Sequence, residues 1–335
     1  MTPGIVLHVG APKTASTYLQ KRLRAGADRL RTIGVHVPVL PAVARMAGNA
    51  KLLATALSAE PSLSFRRAFP EIDAAALEPA AVVAELLADW RADRETVVLS
   101  AENFRPEHAA ALRELLPASA PCAVVLFVRR QDDWIESYFN QLVKSGDIGG
   151  DLSTFVAALC DTEGERFCRP DWSAHRRAWH SAFGDCRVVF YDEARSDVFR
   201  SFMDAAGLGY PPDLTDVEPA QVSLDLHQLA YLLQLGQRVG FAEFLRRRAA
   251  SAEASRRLGA PRPRSLLSAA DRARLRTRFD ESNRRLAAAL GRLDDAPLRI
   301  AAASDDACDL DELYASDAYL AHRALADEIY AARPA

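Results

Sequence analysis

Runs of consecutive apolar residues recur along the first two-thirds of the chain. They are Ile5-Val6-Leu7, Val97-Val98-Leu99 within Thr96-Val97-Val98-Leu99-Ser100, Ala123-Val124-Val125-Leu126-Phe127-Val128, and Val188-Val189-Phe190 within Arg187-Val188-Val189-Phe190-Tyr191. They do not alternate with polar residues, so they predict strands covered on both faces, as in a parallel sheet. The first strand is expected near Gly4–Val9, and Val35-His36-Val37 predicts a short second one after a helix stop at Gly34. Helical spacing fills the gaps. Leu19, Leu23 and Leu30 among Lys21, Arg22, Arg24 and Arg29 predict a helix over Ala15–Arg31, and Ile72, Leu77, Val82, Leu86, Leu87 and Trp90 predict another over Asp73–Ala92. Further helices are expected between Pro106 and Pro117, over Asp132–Lys144 with Gly146 closing it, and over Leu152–Cys160 and Trp172–Phe183. Residues 40–70, rich in Ala with scattered Pro, read as loop and short helix.

Strand and helix alternate through residue 207, which implies an α/β fold, a central parallel β-sheet flanked by helices with right-handed crossovers. Pro211-Pro212 breaks that order. Beyond it the pattern is helical over Leu224–Leu235, Ala242–Ala254 and Ala269–Leu290, with a loop at Pro261 and Pro263 and one strand candidate, Leu298-Arg299-Ile300. The expected organisation is a core over 1–210 and a mostly helical C-terminal extension over 211–335, packed on the core as one structural domain.

Composition narrows the class. The 335 residues are 49% hydrophobic and 26% charged, values of a soluble globular protein. A net charge of −3 argues against broad nucleic-acid binding. No apolar run reaches about 18 residues, so no membrane span is expected, and the N-terminus lacks a signal-peptide pattern. Cys122, Cys160, Cys168, Cys186 and Cys308 form no metal-ligand spacing and are odd in number, which predicts buried free thiols and a cytoplasmic location. Of the 42 basic residues only Lys13, Lys21, Lys51 and Lys144 are lysines. A lysine at Lys13 suggests a site that wants a compact point charge.

Lys13 lies in Gly10-Ala11-Pro12-Lys13-Thr14-Ala15-Ser16-Thr17-Tyr18, between the first strand and the first helix. A strand, a tight loop with a lysine and hydroxyls, and a helix start make an anion site, because first-turn amides are unpaired and carry the positive end of the helix dipole. The stretch is not a standard P-loop, since Pro12 and Leu7 stand where that motif has glycines.

The loop resembles the 5′-phosphosulfate loop of the sulfotransferases that use 3′-phosphoadenosine 5′-phosphosulfate, matching at Gly10, Pro12, Lys13, Thr14, Ser16 and Thr17 and departing at Ala15, where the family usually has Gly. The family's 3′-phosphate motif, an Arg ending a buried strand and a Ser eight positions later followed by Tyr, is matched by Arg129, Ser137 and Tyr138, with Arg130 the nearest competitor. Glu102, just past the strand ending at Ser100, stands where family members carry the base that takes the acceptor proton; His36 and His8 are the alternatives, and a helix-capping role for Glu102 is the bland one. Tyr191 and Tyr18 match aromatic positions near the adenine. The family's later basic-Gly segment is not found; Arg256-Arg257-Leu258-Gly259 and the arginines near 262–264 are substitutes, and Lys144-Ser145-Gly146, Phe279 and Asn283 resemble a bacterial or carbohydrate-type branch.

The resemblance covers residues 1–210. It implies a P-loop-NTPase-like three-layer sandwich, 3′-phosphoadenosine 5′-phosphosulfate as donor with adenosine 3′,5′-bisphosphate as product, no metal, and a small-molecule or carbohydrate hydroxyl acceptor. Lys13 and Glu102 are the implied catalytic pair, and Gly10, Pro12, Lys13, Thr14, Ala15, Ser16, Thr17, Tyr18, Arg129, Ser137 and Tyr191 the implied donor site. Two other readings stay open: an atypical P-loop nucleotide kinase, and a non-catalytic nucleotide-binding module of the same fold. Acceptor and oligomeric state are not written in the sequence.

Overall fold

The computed structural model describes residues 4–41, 48–61, 63–161, 170–211, 223–236, 238–261, 264–302 and 307–332. The readings at Cys168, Pro212, Arg262 and Pro263 lie outside them. From the N-terminus the elements are β1 (Ile5–Gly10), α1 (Ser16–Ala25), α2 (Ala27–Thr32), β2 (Val35–His36), α3 (Lys51–Ala56), α4 (Leu63–Ala68), α5 (Pro79–Leu87), β3 (Thr96–Ala101) and α6 (His108–Leu115). Then follow β4 (Cys122–Val128), α7 (Gln131–Ser145), α8 (Leu152–Asp161), α9 (Trp172–Phe183), β5 (Cys186–Phe190), α10 (Tyr191–Ala194) and α11 (Val198–Ala206). The C-terminal part holds α12 (Leu226–Leu235), α13 (Phe241–Leu258), α14 (Ala269–Ala289), α15 (Leu310–Ala315) and α16 (Asp317–Ala331). The chain divides into two compact units, one of Met1–Arg130, Cys168–Gln221 and Glu281–Arg299, the other of Gln131–Phe167, Val222–Asp280 and Ile300–Ala335.

The first unit contains the expected sheet, five strands all parallel in the order β2-β3-β1-β4-β5. Every residue of β1 and β3 is buried, which is why neither alternates in sequence. One face, with Val6, Val98, Val125 and Phe127, packs on Leu19 and Leu23 of α1, Leu30 of α2 and Phe199, Phe202 and Met203 of α11. The opposite face, with Leu7, Leu99 and Leu126, is buried too, and α3 beside β3 and α9 beside β4 take no part in the first cluster. Helices thus flank a central sheet.

Several sequence expectations change. The first helix begins at Ser16 and breaks at Gly26 into α1 and α2. The helix over Asp73–Ala92 is a 3₁₀ turn at Ala74–Ala76 and then α5, because Pro79 has no amide to continue a helix and serves as a first-turn residue instead. The fifth strand ends at Phe190, and Tyr191 opens α10. Leu298-Arg299-Ile300 is no strand: Ala296–Leu298 is a 3₁₀ turn, with Asn283 Nδ2 donating to the Leu298 carbonyl at 3.0 Å. Val35 and His36 alone form β2.

The second unit is helical. Its centre includes a buried ion pair, Arg272 Nη1 to Asp132 Oδ2 at 2.5 Å. Beside it the Glu136 carboxylate accepts the Ser265 hydroxyl at 2.9 Å and the Leu266 amide at 2.5 Å. Burial pushes that carboxyl up despite these bonds. Asn140 ties α7 to the start of α12 through both the amide and the carbonyl of Leu224. Cys122, Cys160, Cys186 and Cys308 are free thiols. Among the described residues no helix is long and apolar enough to cross a membrane.

Candidate active site

β1 is the central strand, and the chain leaves its neighbours β3 and β4 on opposite sides of it. Register pairs Val9 with Ala101 and Gly10 with Phe127, so the loop after β1, Glu102 after β3 and Arg129 after β4 open on one rim, the carboxyl end of the sheet. Parallel sheets bind ligands there, at the point where the strand order diverges. Strand spacing puts the backbones of Glu102 and Arg129 about 10 Å apart with the loop between them.

The loop backbone is unusual. Lys13 has φ 70° and Ala15 φ 62°, and they are the only non-glycine residues with positive φ among those described. Left-handed backbone costs an L-residue about 1–2 kcal/mol. Alternation of left- and right-handed residues turns successive amides toward one concavity, a nest for an anion. Ala15 is also the N-cap of α1 with ψ 19°, and no side chain caps that end. The hydroxyls brace the loop instead: Thr14 Oγ1 donates to the Ala11 carbonyl at 2.8 Å, and Ser16 Oγ lies 3.4 Å from Thr14 Oγ1. Thr14 and Ser16 are buried, whereas Pro12, Lys13, Ala15 and Thr17 are half-exposed. Gly10 keeps this spot uncrowded, since a Cβ there would sit a tight 3.2 Å from His8 Nε2.

His8 fills the strand position beneath. Its Nδ1 is 2.7 Å from Ser100 Oγ, while Nε2 is buried without a hydrogen-bond partner. Burial pushes the imidazole down to about 4, against the pull of the Glu102 charge, so it is neutral. His36 pairs with Val97, five residues back from Glu102, or about 16 Å along the strand. The structure therefore does not bring it to the rim, and burial lowers its imidazole as well.

Glu102 is held by both oxygens. Gln20 Nε2 donates to Oε2 at 2.7 Å and Lys51 Nζ to Oε1 at 3.2 Å. Burial works to raise the carboxyl, but Lys51 and Gln20 outweigh it and hold it below the ordinary carboxylate range. This carboxylate does not cap α6, whose N-cap Glu107 makes no side-chain capping bond either. Across the loop, Arg129 Nη1 donates to the Lys13 carbonyl at 3.3 Å, and its guanidinium lies 5.1 Å from the Tyr191 ring centre. Arg129 Nε is buried without a partner. Tyr18 accepts from Arg22 Nη1 at 3.3 Å, and Arg22 Nη2 reaches the Tyr210 hydroxyl at 3.2 Å. Ser137 lies on α7 in the second unit and is half-buried there.

Gln20 and Lys51 escaped the sequence reading. Their one signal was rarity, Lys51 being one of four lysines and Gln20 a polar residue between Leu19 and Leu23 on a buried helix face.

No protein-family model matches the chain, and no curated protein matches it in sequence. Its structure is similar to the crystal structure of a sulfotransferase from Alicyclobacillus acidocaldarius, with a TM-score of 0.52 and 14% identity over 89% of this chain and 100% of that one. At that identity the likeness concerns architecture, and the chain has a sulfotransferase-like fold: a five-stranded, all-parallel central sheet flanked by helices, with a helical C-terminal part.

Proposed function

We propose that the chain is a sulfotransferase that moves a sulfuryl group from 3′-phosphoadenosine 5′-phosphosulfate to a hydroxyl of a carbohydrate or small-metabolite acceptor. The observation that carries this reading is the loop backbone, left-handed at Lys13 and Ala15 and running into a helix start without a side-chain cap. Strain of this kind persists where surrounding structure enforces it, typically at a ligand site. The fold-level likeness adds support as an analogy.

The residues present fit the donor. Lys13 and the amides of the loop and first helical turn would hold the 5′-phosphate end, with the Thr17 hydroxyl as a further donor. Arg129, stacked near Tyr191 and with a buried unpaired Nε, suits the 3′-phosphate. Tyr18 and Tyr191 would flank the adenine. When bound, the donor supplies a sulfuryl group whose bond to the 5′-phosphate oxygen breaks as a bond to the acceptor oxygen forms. Glu102, ionised at neutral pH, takes the proton from that hydroxyl. Lys13 stabilises the negative charge that builds on the departing phosphate oxygen.

The test is calorimetry with adenosine 3′,5′-bisphosphate and with ATP, each with and without magnesium. Micromolar, magnesium-independent binding of the bisphosphate with little binding of ATP supports the reading. Magnesium-dependent preference for ATP replaces it with the kinase reading, and bisphosphate binding without transfer to any hydroxyl acceptor replaces it with the non-catalytic one. Lys13→Ala should weaken bisphosphate binding about 10- to 100-fold, the loss of one charge-assisted contact.

A further inference from the structure

Glu102 is gripped from two elements at once. Gln20, 2% exposed, projects from α1 four residues beyond Ser16, one helical turn or about 6 Å from the start of the helix that carries the loop. Lys51 opens α3, and the residues before it are fastened to β3: Asn49 Oδ1 accepts the Ser100 amide at 2.7 Å, Asn49 Nδ2 donates to the Val98 carbonyl at 2.8 Å, and the Ala50 amide donates to the Ser100 carbonyl at 3.2 Å. Gly48 lets the chain pass there, because a Cβ would come within 2.9 Å of both Gln20 Nε2 and the Ser100 carbonyl oxygen. The Lys51 and Glu102 side chains keep 28% and 20% of their surface exposed, so the pair meets solvent rather than lying sealed in the core.

We propose that Gln20 and Lys51 are positioning residues, a two-armed clamp that aims the Glu102 carboxylate at the acceptor side of the phosphate loop. The inference rests on the reading of Glu102 as the base. Gln20 ties the carboxylate to the same rigid helix that begins at the loop, so the proton acceptor and the anion cradle keep a fixed separation. Lys51 supplies one counter-charge to one oxygen, and a carboxylate oxygen has lone pairs left for an incoming hydroxyl. The groups that act on Glu102 are Lys51 from α3 and Gln20 from α1, with its own backbone amide; the neutral His8 of β1 feels the Glu102 charge. With Lys51 in place Glu102 stays charged on the acid side of neutrality, and transfer persists to lower pH than it otherwise would.

The experiment is a carbon-13 NMR titration of the Glu102 carboxyl in the ligand-free protein, with Glu102→Gln to assign the signal, in the wild type, Lys51→Met and Lys51→Arg. Wild-type Glu102 should titrate below the ordinary Glu range, Lys51→Met should raise it by about one unit, and Lys51→Arg should restore it. In turnover the acid limb of the pH profile should move by the same amount. Gln20→Leu should lower kcat about tenfold with little change in the donor KM, as expected for lost aim. An unshifted Glu102 titration in Lys51→Met overturns the clamp, as does unchanged kcat in Gln20→Leu should Lys51→Met fail to fold. Failure of the underlying reading has a different signature: full turnover in Glu102→Gln removes Glu102 as the base even where its titration obeys Lys51.

Discussion

Replacing Ala15 by glycine tests the loop backbone directly. In the structure Ala15 has φ 62° and ψ 19° and caps α1, its carbonyl accepting the Leu19 amide at 3.0 Å. Relieving the left-handed strain gains about 1–2 kcal/mol. Against this stand the greater freedom of glycine in the unfolded chain, about 0.4–1 kcal/mol, and the loss of a methyl half-buried against the core cluster, about 0.4 kcal/mol. The balance is a stabilisation of about 0.5 kcal/mol, helped by the preference for Gly over Ala at N-caps. Were Ala15 an ordinary right-handed helical residue, the same change would destabilise by about 1 kcal/mol, so the two cases differ in sign. The assay is urea unfolding followed by a probe in the sheet unit, with the midpoint compared at unchanged slope. Calorimetry should show bisphosphate affinity within about threefold of wild type, since no amide is lost. A lowered midpoint would refute the strained conformation, and the proposed anion nest at Lys13–Thr17 with it.

Two other expectations concern buried charge. His8 titrates at about 4 when folded and at about 6.5 when unfolded; its contribution is fully present above pH 6.5 and is lost as the pH falls toward 4, about 3 kcal/mol in all. Urea unfolding at neutral and acid pH should show a shallower acid loss in His8→Asn than in the wild type. In the helical unit, Arg272→Leu leaves the buried Asp132 carboxylate without its ion-pair partner and should cost about 3–5 kcal/mol, most of it recovered when Asp132 is replaced by Leu as well, as read by hydrogen exchange of α7 and α14.

What could be read from the chain alone was whatever depends on local pattern. A strand buried on both faces writes itself as an unbroken apolar run, so β1, β3 and β4 were legible. The edge strand β5, with Arg187 exposed and Val188 and Val189 half-buried, was legible from the short run Val188-Val189-Phe190, and with it the parallel α/β sheet. The loop at Lys13, Arg129 and Glu102 were legible because each directly follows such a run. Short segments were not: Leu298-Arg299-Ile300 alternates as a strand would, yet Leu298 and Ile300 are buried around a 3₁₀ turn rather than in a ladder. Nor was the turn of the backbone at Ala15, since alanine favours no left-handed conformation and only the surrounding contacts enforce it. The tertiary structure alone decided which side chains share the rim. Gln20, Lys51 and Glu102 are far apart in sequence and belong to no common motif; they meet because β3 pairs with β1, α1 follows β1 and Asn49 fastens the start of α3 to β3. Local propensity determines the elements, but a carboxylate's charge and aim come from neighbours that the chain supplies from a distance.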